Sequence, residues 1–172
     1  MTQFPYELVE DTRLILGLIA LQADETIETD FRRLLPKDVN FLVSRVASGT
    51  EVTSESLAEM EQHLTRSAEL FPRGLAFDAV GYGCTSGTAQ IGPQKIADLV
   101  RSGVNTSAVT EPVSALIDAC KCLGIQRLGF LSPYIESVSE NLRDTLKFNG
   151  VETPVFGTFA EPEEAKVYLI AK

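Results

Sequence analysis

Residues 77–87 read FDAVGYGCTSG. Phe77 to Tyr82 is a run of strand length, and the glycine-rich GCTSG that follows marks a sharp turn at its end. Upstream, Leu57, Met60, Leu64, Ala68 and Phe71 recur at three- and four-residue steps, the stripe of a helix with one buried face. Thr53 is placed to cap that helix, with Glu55 in its first turn where the helix dipole favours a carboxylate. Before it, Val39 to Ala47 reads as a strand, residues 26–35 as a helix stopped by Pro36, and Arg13 to Leu21 as an apolar strand covered on both faces. Downstream, a helix is expected over Ile91 to Arg101 with Gly103 as its C-cap, then a strand over Asn105 to Thr110. Pro112 suits the first position of a helix running to Leu123, which Gly124 closes. Arg127 to Leu131 is a fifth strand. A helix over residues 135–148 follows, with Val138, Leu142 and Leu146 on one face and Gly150 at its end. Val151 to Phe159 reads as a sixth strand, and residues 162–171 begin another helix. Strands separated by helices imply right-handed crossovers. The expected fold is a doubly wound α/β unit, with a largely parallel sheet and helices on both faces, over residues 1–172.

Composition excludes several classes. Fifteen basic against twenty-four acidic residues leave a net charge of −9, unfavourable for wrapping a phosphate backbone. With 44% hydrophobic and 23% charged residues the chain suits an ordinary folded protein. No apolar run approaches the roughly 20 residues of a membrane span. The start, MTQFPYELVEDTR, lacks the basic and apolar regions of a signal peptide, so the expected compartment is the cytoplasm. Three cysteines, two of them at 120 and 122, do not form a disulfide framework or a C-x-x-C pair, and with one histidine they show no zinc spacing.

Open parallel sheets bind ligands beyond the carboxyl ends of their strands. Those ends offer Asp24 and Glu25, then Cys84, Thr85 and Ser86, then Thr110 and Glu111, then Ser132 and Tyr134. Cys84 is the most informative. Gly81, Gly83 and Gly87 around it let the backbone bend and approach a ligand, and free amides beyond it would favour a thiolate and a bound carboxylate. It is then expected to be the most reactive thiol at neutral pH. The plainer alternative is a small buried cysteine in a strand-to-helix turn. A dinucleotide loop competes for the same residues: Gly81-Tyr82-Gly83 begins G-x-G-x-x-G, with Ser86 in place of the third glycine and Glu111 in reach of a ribose. Asp24 has helix capping as its ordinary role, and Tyr134 can simply pack its ring. His63 lies beside an apolar stripe, and Cys120 and Cys122 fall on different faces of a helix, as structural residues do.

GLIALQADETIETD at 17–30, VGYGCTSGTAQIG at 80–92 and LSPYIESVSENL at 131–142 together resemble the maleate isomerase and arylmalonate decarboxylase branch of the aspartate/glutamate racemase superfamily. Within it, residues 24–28 and GYGCTSG are most similar to maleate-isomerase-like proteins associated with ectoine utilisation. The resemblance implies a cofactor-independent enzyme of two pseudo-symmetric halves, here about residues 14–130 and an incomplete 131–172, with a cysteine from each half facing the substrate. Cys84 matches the first cysteine. Thr85, Ser86 and Tyr134 match positions that hold a substrate carboxylate, while Asp24 stands where maleate isomerases typically carry asparagine. The decarboxylases have glycine at the position of Cys84. Neither Cys120 nor Cys122 matches the second cysteine, so these 172 residues alone are expected not to turn over.

The expected function is cofactor-independent isomerisation or racemisation of a small carboxylate or dicarboxylate. Cys84 would act as catalytic thiolate, with Asp24, Thr85, Ser86, Thr110 and Tyr134 binding substrate. The alternatives are a decarboxylase-like carbon–carbon lyase and a carboxylate-binding accessory protein without turnover. Further copies of the chain are the expected macromolecular partners, with no nucleic acid, membrane, metal or cofactor.

Overall fold

A computed structural model describes residues 3–8, 12–167 and 169–170. Among the described residues six strands are separated by helices, two of them between β2 and β3 and two between β3 and β4: β1 Ile15–Leu21, α1 Ile27–Leu34, β2 Asn40–Val46, α2 Ser54–Glu59, α3 Glu61–Ala68, β3 Phe77–Tyr82, α4 Thr85–Ile91, α5 Pro93–Gly103, β4 Thr106–Thr110, α6 Pro112–Leu123, β5 Arg127–Ser132, α7 Glu136–Phe148, β6 Glu152–Thr158 and α8 Glu164–Val167. The fold is α/β with parallel strands, as the alternation implied. The strands divide, however, into a four-stranded sheet ordered β2-β1-β3-β4 and a separate pair β5-β6. The last helix expected over residues 162–171 is only the short α8; Tyr168, Ala171 and Lys172 lie outside the described residues.

Alternation along β1 explains how both faces of the larger sheet are used. Ile19 joins a core with Leu64, Ala68, Ile96 and Val100, the inward residues of α3 and α5. The neighbouring Leu18 faces the other way, toward Ile27 of α1, and Phe31 of α1 stacks on Phe41 of β2 with ring centroids 5.8 Å apart. A second core joins Val113, Ile117 and Cys120 of α6 to Leu142 and Leu146 of α7. No helix among the described residues is long and apolar enough to cross a membrane.

Three local expectations change. The helix begun by Thr53 is two segments broken at Met60, yet its apolar stripe is buried throughout; Thr53 and Ser56 form a reciprocal capping box. The helix placed at 91–101 is preceded by α4, and Gly92, at φ 93°, separates α4 from α5 with Pro93 at the next helix's start. Gly103 is the last residue of α5 rather than its C-cap. A Cβ there would lie 2.5 Å from the Thr65 carbonyl oxygen, so glycine serves the close approach of α3 and α5.

Candidate active site

The carboxyl ends of β1 and β3 open onto a cleft of about 290 Å³ lined by Asp24, Thr26, Ile27, Asp30, Cys84, Thr85, Pro112, Tyr134, Glu164 and Val167, among others. It sits where strand-end geometry places ligands in open parallel sheets. Asp24, Cys84, Thr85 and Tyr134 are therefore brought together. Ser86 lies immediately behind them, in an adjoining small cavity shared with Tyr134 and Glu164.

Cys84 is both the N-cap of α4 and a wall of the cleft. Its Sγ accepts a hydrogen bond from the Gly87 N–H at 3.2 Å and stands 3.6 Å from Ser86 Oγ. The residue is only 3% exposed. Burial pushes the thiol above its ordinary value, and the nearby Glu164 carboxylate adds to that. Hydrogen bonds from Ser86, Gly87 and Tyr82 pull the other way and do not prevail. The expected resting thiolate is thus replaced by a buried thiol, because no Lys, Arg or His side chain stands among the described lining residues.

Tyr134 owes its place to a hydroxyl network beneath it. Its N–H donates to Ser132 Oγ at 3.1 Å, and Ser139 Oγ donates to the same oxygen at 2.9 Å. Thr158 bonds the Tyr134 carbonyl, tying β6 to the turn. Burial above all, and then the charges of Cys84, Glu164 and Asp24, push the Tyr134 phenol up to about 12, against a hydrogen bond with Ser86. It is a proton donor at neutral pH.

Asp24 keeps the capping role as well. Its Oδ1 accepts from the N–H groups of Thr26 and Ile27 at 2.7 and 2.9 Å, which fixes its carboxylate at the mouth of the cleft. Arg45 braces the same loop from outside, donating to the carbonyls of Leu21 and Asp24 at 2.8 and 2.7 Å.

Other candidates fall away. Thr110 is exposed at the end of β4 and is absent from the cleft lining, since the chain turns there into α6. Glu111 is buried and spends its carboxylate on the N–H groups of Val113 and Ser114, so it is no ribose ligand. His63 is exposed, Cys120 is in the second core and Cys122 is exposed on α6.

Glu164 and Asp30 are the acidic lining residues that sequence reasoning missed; Asp30 is paired with Arg33 at 3.6 Å, and Glu164 is the more informative. Its segment PEEAK looks like a solvated acidic helix start. A strap after β6 carries it to the cleft: Phe159 N–H bonds the Ser132 carbonyl, Glu161 N–H bonds that of Pro133, Val52 N–H bonds that of Pro162, and Glu164 N–H bonds that of Thr50. Burial raises the Glu164 carboxyl, a Ser48 hydrogen bond lowers it, and Asp24 raises it again. The signal that could have found it is the end of the sixth strand, under the same rule that found the others.

A parallel α/β fold with a buried cysteine, a tyrosine and carboxylates around a strand-end cleft is a candidate small-molecule site. No family model matches the chain. A maleate isomerase of Geobacillus stearothermophilus is 23% identical in an alignment of 152 residues that covers 80% of this chain and 60% of the relative. The chain thus spans 60% of the length of that curated relative. Among solved structures, a Nocardia farcinica maleate cis-trans isomerase variant with a covalently bound succinylcysteine intermediate aligns with a TM-score of 0.74 at 20% identity, covering 91% of this chain and 68% of the other. A doubly substituted arylmalonate decarboxylase in its liganded form aligns with a TM-score of 0.69 at 21% identity, covering 87% and 63%. The chain has the fold shared by these maleate isomerase and arylmalonate decarboxylase structures.

Proposed function

We propose that this chain supplies the Cys84 half of a cofactor-independent isomerase or racemase acting on a small carboxylate or dicarboxylate. The observation that carries the reading is the buried Cys84 thiol at the wall of the strand-end cleft, with Ser86 Oγ 3.6 Å away and Tyr134 on the same lining. A thiol held out of water at such a position is placed to act as nucleophile or base once a substrate displaces solvent and changes its surroundings. In the isomerase form, thiolate adds to a cis double bond. The C–S bond forms as the π pair moves into the adjacent carboxylate, the former double bond rotates, and elimination returns the thiolate and the trans alkene. The succinylcysteine carried by the Nocardia farcinica relative is the protonated form of such an adduct. In the racemase form the thiolate removes an α-proton and a group on the opposite face returns one. Thr85, Ser86 and the neutral Tyr134 phenol are placed to donate to the carboxylate that bears the developing charge.

Of the chain's three cysteines only Cys84 lines the cleft, so these 172 residues alone should bind substrate without turning it over. The reading extends to a cytoplasmic enzyme of the ectoine-utilisation group, supported by the likeness of residues 24–28 and GYGCTSG to that group.

The test is protection of Cys84 from iodoacetamide by four-carbon acids and by their matched neutral amides, read by peptide mass mapping. Acids should protect and amides should not. Tyr134→Phe or Ser86→Ala should weaken protection ten- to hundredfold, the loss of one hydrogen bond to a charged group at about 1.5–3 kcal/mol. Equal protection by acid and amide would remove carboxylate recognition, and the function with it.

A further inference from the structure

Tyr82 carries a buried hydroxyl that packing alone does not explain. It ends β3, is 1% exposed and belongs to the first core with Met60, Leu64, Ile96 and Cys84. Phenylalanine would fill the same space without taking a hydroxyl out of water, which costs free energy unless a good partner is found. The partner is a poor one. The phenol donates to Met60 Sδ at 3.8 Å, and a thioether is a weak acceptor.

Beside that hydroxyl stands the Cys84 sulfur. Tyr82 and Cys84 are two residues apart in extended chain, so their side chains project to one face, while Gly83 between them faces Ile27 of α1. A Cβ on Gly87 would lie 2.5 Å from the Tyr82 hydroxyl, 2.9 Å from Cys84 Sγ and 2.9 Å from Met60 Cε. The three side chains therefore meet around the space of one missing methyl group. Sγ already accepts from the Gly87 N–H at 3.2 Å and has Ser86 Oγ at 3.6 Å.

Resting on the proposed role of Cys84 as the reacting thiol, we infer that Tyr82 is its positioning residue, whose hydroxyl turns from Met60 Sδ to Cys84 Sγ when the sulfur gives up its proton. The S–H bond breaks, a base in solvent takes the proton and the sulfur keeps the electron pair. The phenol keeps its own proton, since burial raises it well above its ordinary value. A thiolate is a far stronger acceptor than a thioether, so the hydroxyl turns downhill once the charge is present. Ser86, Gly87 and Tyr82 then give three donors to a sulfur whose described surroundings hold no cation. Against them stand the carboxylates of Glu164 on α8, Asp24 on the β1–α1 loop and Asp30 on α1, with Tyr134 neutral beside them. From the break between α2 and α3 the uncharged Met60 packs at the same point.

The experiment is the pH profile of Cys84 alkylation by iodoacetamide from about pH 7 to 10.5, read by peptide mass mapping on the whole 172-residue protein. Exposed Cys122 is the reference thiol in the same digest. A change in access scales the rate equally at every pH, whereas a change in ionisation moves the profile along the pH axis. Tyr82→Phe keeps the ring and should move the Cys84 profile up by about one pH unit, a roughly tenfold slower reaction at a fixed pH below the plateau. Met60→Leu keeps the volume and removes the competing acceptor, so the profile should move down, with Cys84 about twofold faster. Cys122 should be unchanged in both. A Cys84 profile that stays in place in Tyr82→Phe, or that moves up in both variants, overturns the inference. If Tyr82→Phe does not fold, Met60→Leu decides alone: a downward move upholds the inference, and an unmoved or raised profile overturns it. Protection by acid over amide is read separately on the unsubstituted protein, so failure of carboxylate recognition and failure of the Tyr82 role are told apart.

Discussion

The backbone N–H of Gly87 points at Sγ of Cys84 from 3.2 Å, and a Cβ on Gly87 would stand 2.9 Å from that sulfur and 2.5 Å from the Tyr82 hydroxyl. Both neighbours are buried, so neither can move aside into solvent. Gly87 is therefore required by close approach. Gly87→Ala should cost about 1–3 kcal/mol, the range for overpacking a filled interior. Urea denaturation measures it. The same variant should displace the thiol and alter its alkylation rate; an unchanged stability would show that α4 shifts freely.

The thiol that the sequence pointed to as most reactive is the buried one, and the opposite order of alkylation is predicted. Cys84 is buried and its thiol is raised by that burial, whereas Cys122 is exposed. The thiolate is the nucleophile, and access multiplies its effect. Brief, substoichiometric iodoacetamide at pH 7 should label Cys122 first, and Cys84 labelling should quicken as pH rises. Cys84 labelled ahead of Cys122 in the ligand-free protein would mean that an unrecognised opening or charge activates it.

Ser132 is predicted to position Tyr134 without touching the ligand. It is buried, accepts the Tyr134 N–H and the Ser139 hydroxyl, and is absent from the cleft lining. Ser132→Ala leaves a buried donor without its partner and should cost about 1–3 kcal/mol. Chemical denaturation gives that number. Carboxylate protection of Cys84 should weaken as well, because the loop holding the phenol loosens. A variant that loses stability but protects as well as the unsubstituted protein would confine Ser132 to folding.

What was legible in the sequence follows the strength of local signals. Phe77 to Tyr82 and Pro112 to Leu123 are found where composition and punctuation place them, and Gly124 takes the left-handed φ of 68° expected of a closing glycine. α4 escaped because TSGTAQI has almost no apolar stripe. Its Ser86, Gly87 and Thr88 are buried by small size, packed against several helices. The separation of β5-β6 from the larger sheet is equally silent in sequence, since each strand reads the same whichever neighbour it pairs with. At the site, Asp24, Cys84, Thr85 and Tyr134 were recoverable because each follows a strand. Thr110 met the same rule and failed, since the turn into α6 leaves it exposed. Glu164 lay beyond the end of the sixth strand and could have been proposed by that rule, but what brings it to the cleft is long-range: Glu164 N–H bonds the Thr50 carbonyl and Val52 N–H bonds that of Pro162, more than a hundred positions apart in sequence.

Glu164 also sets a pH dependence whose sign can be worked out. Asp24, Ser48, Cys84, Tyr82 and Tyr134 are the groups coupled to it. Burial, the leading cause, raises its folded-state value above the ordinary 4.5, with Ser48 opposing and Asp24 reinforcing. Between the unfolded and folded values the folded protein holds more protons than the unfolded chain, so stability falls as pH rises through that window and stays lowered above it. Glu164→Gln removes this contribution. The variant should therefore be no more stable than the unsubstituted protein at pH 4, gain on it as pH rises through and beyond 4.5, and hold a constant advantage above the folded value. All other carboxylates cancel in the difference to the extent that they do not interact with Glu164. Urea midpoints for both proteins at pH values from 4 to 8 provide the measurement. A difference that is flat across that range, or that shrinks as pH rises, would mean that the strap opens to water and leaves Glu164 solvated.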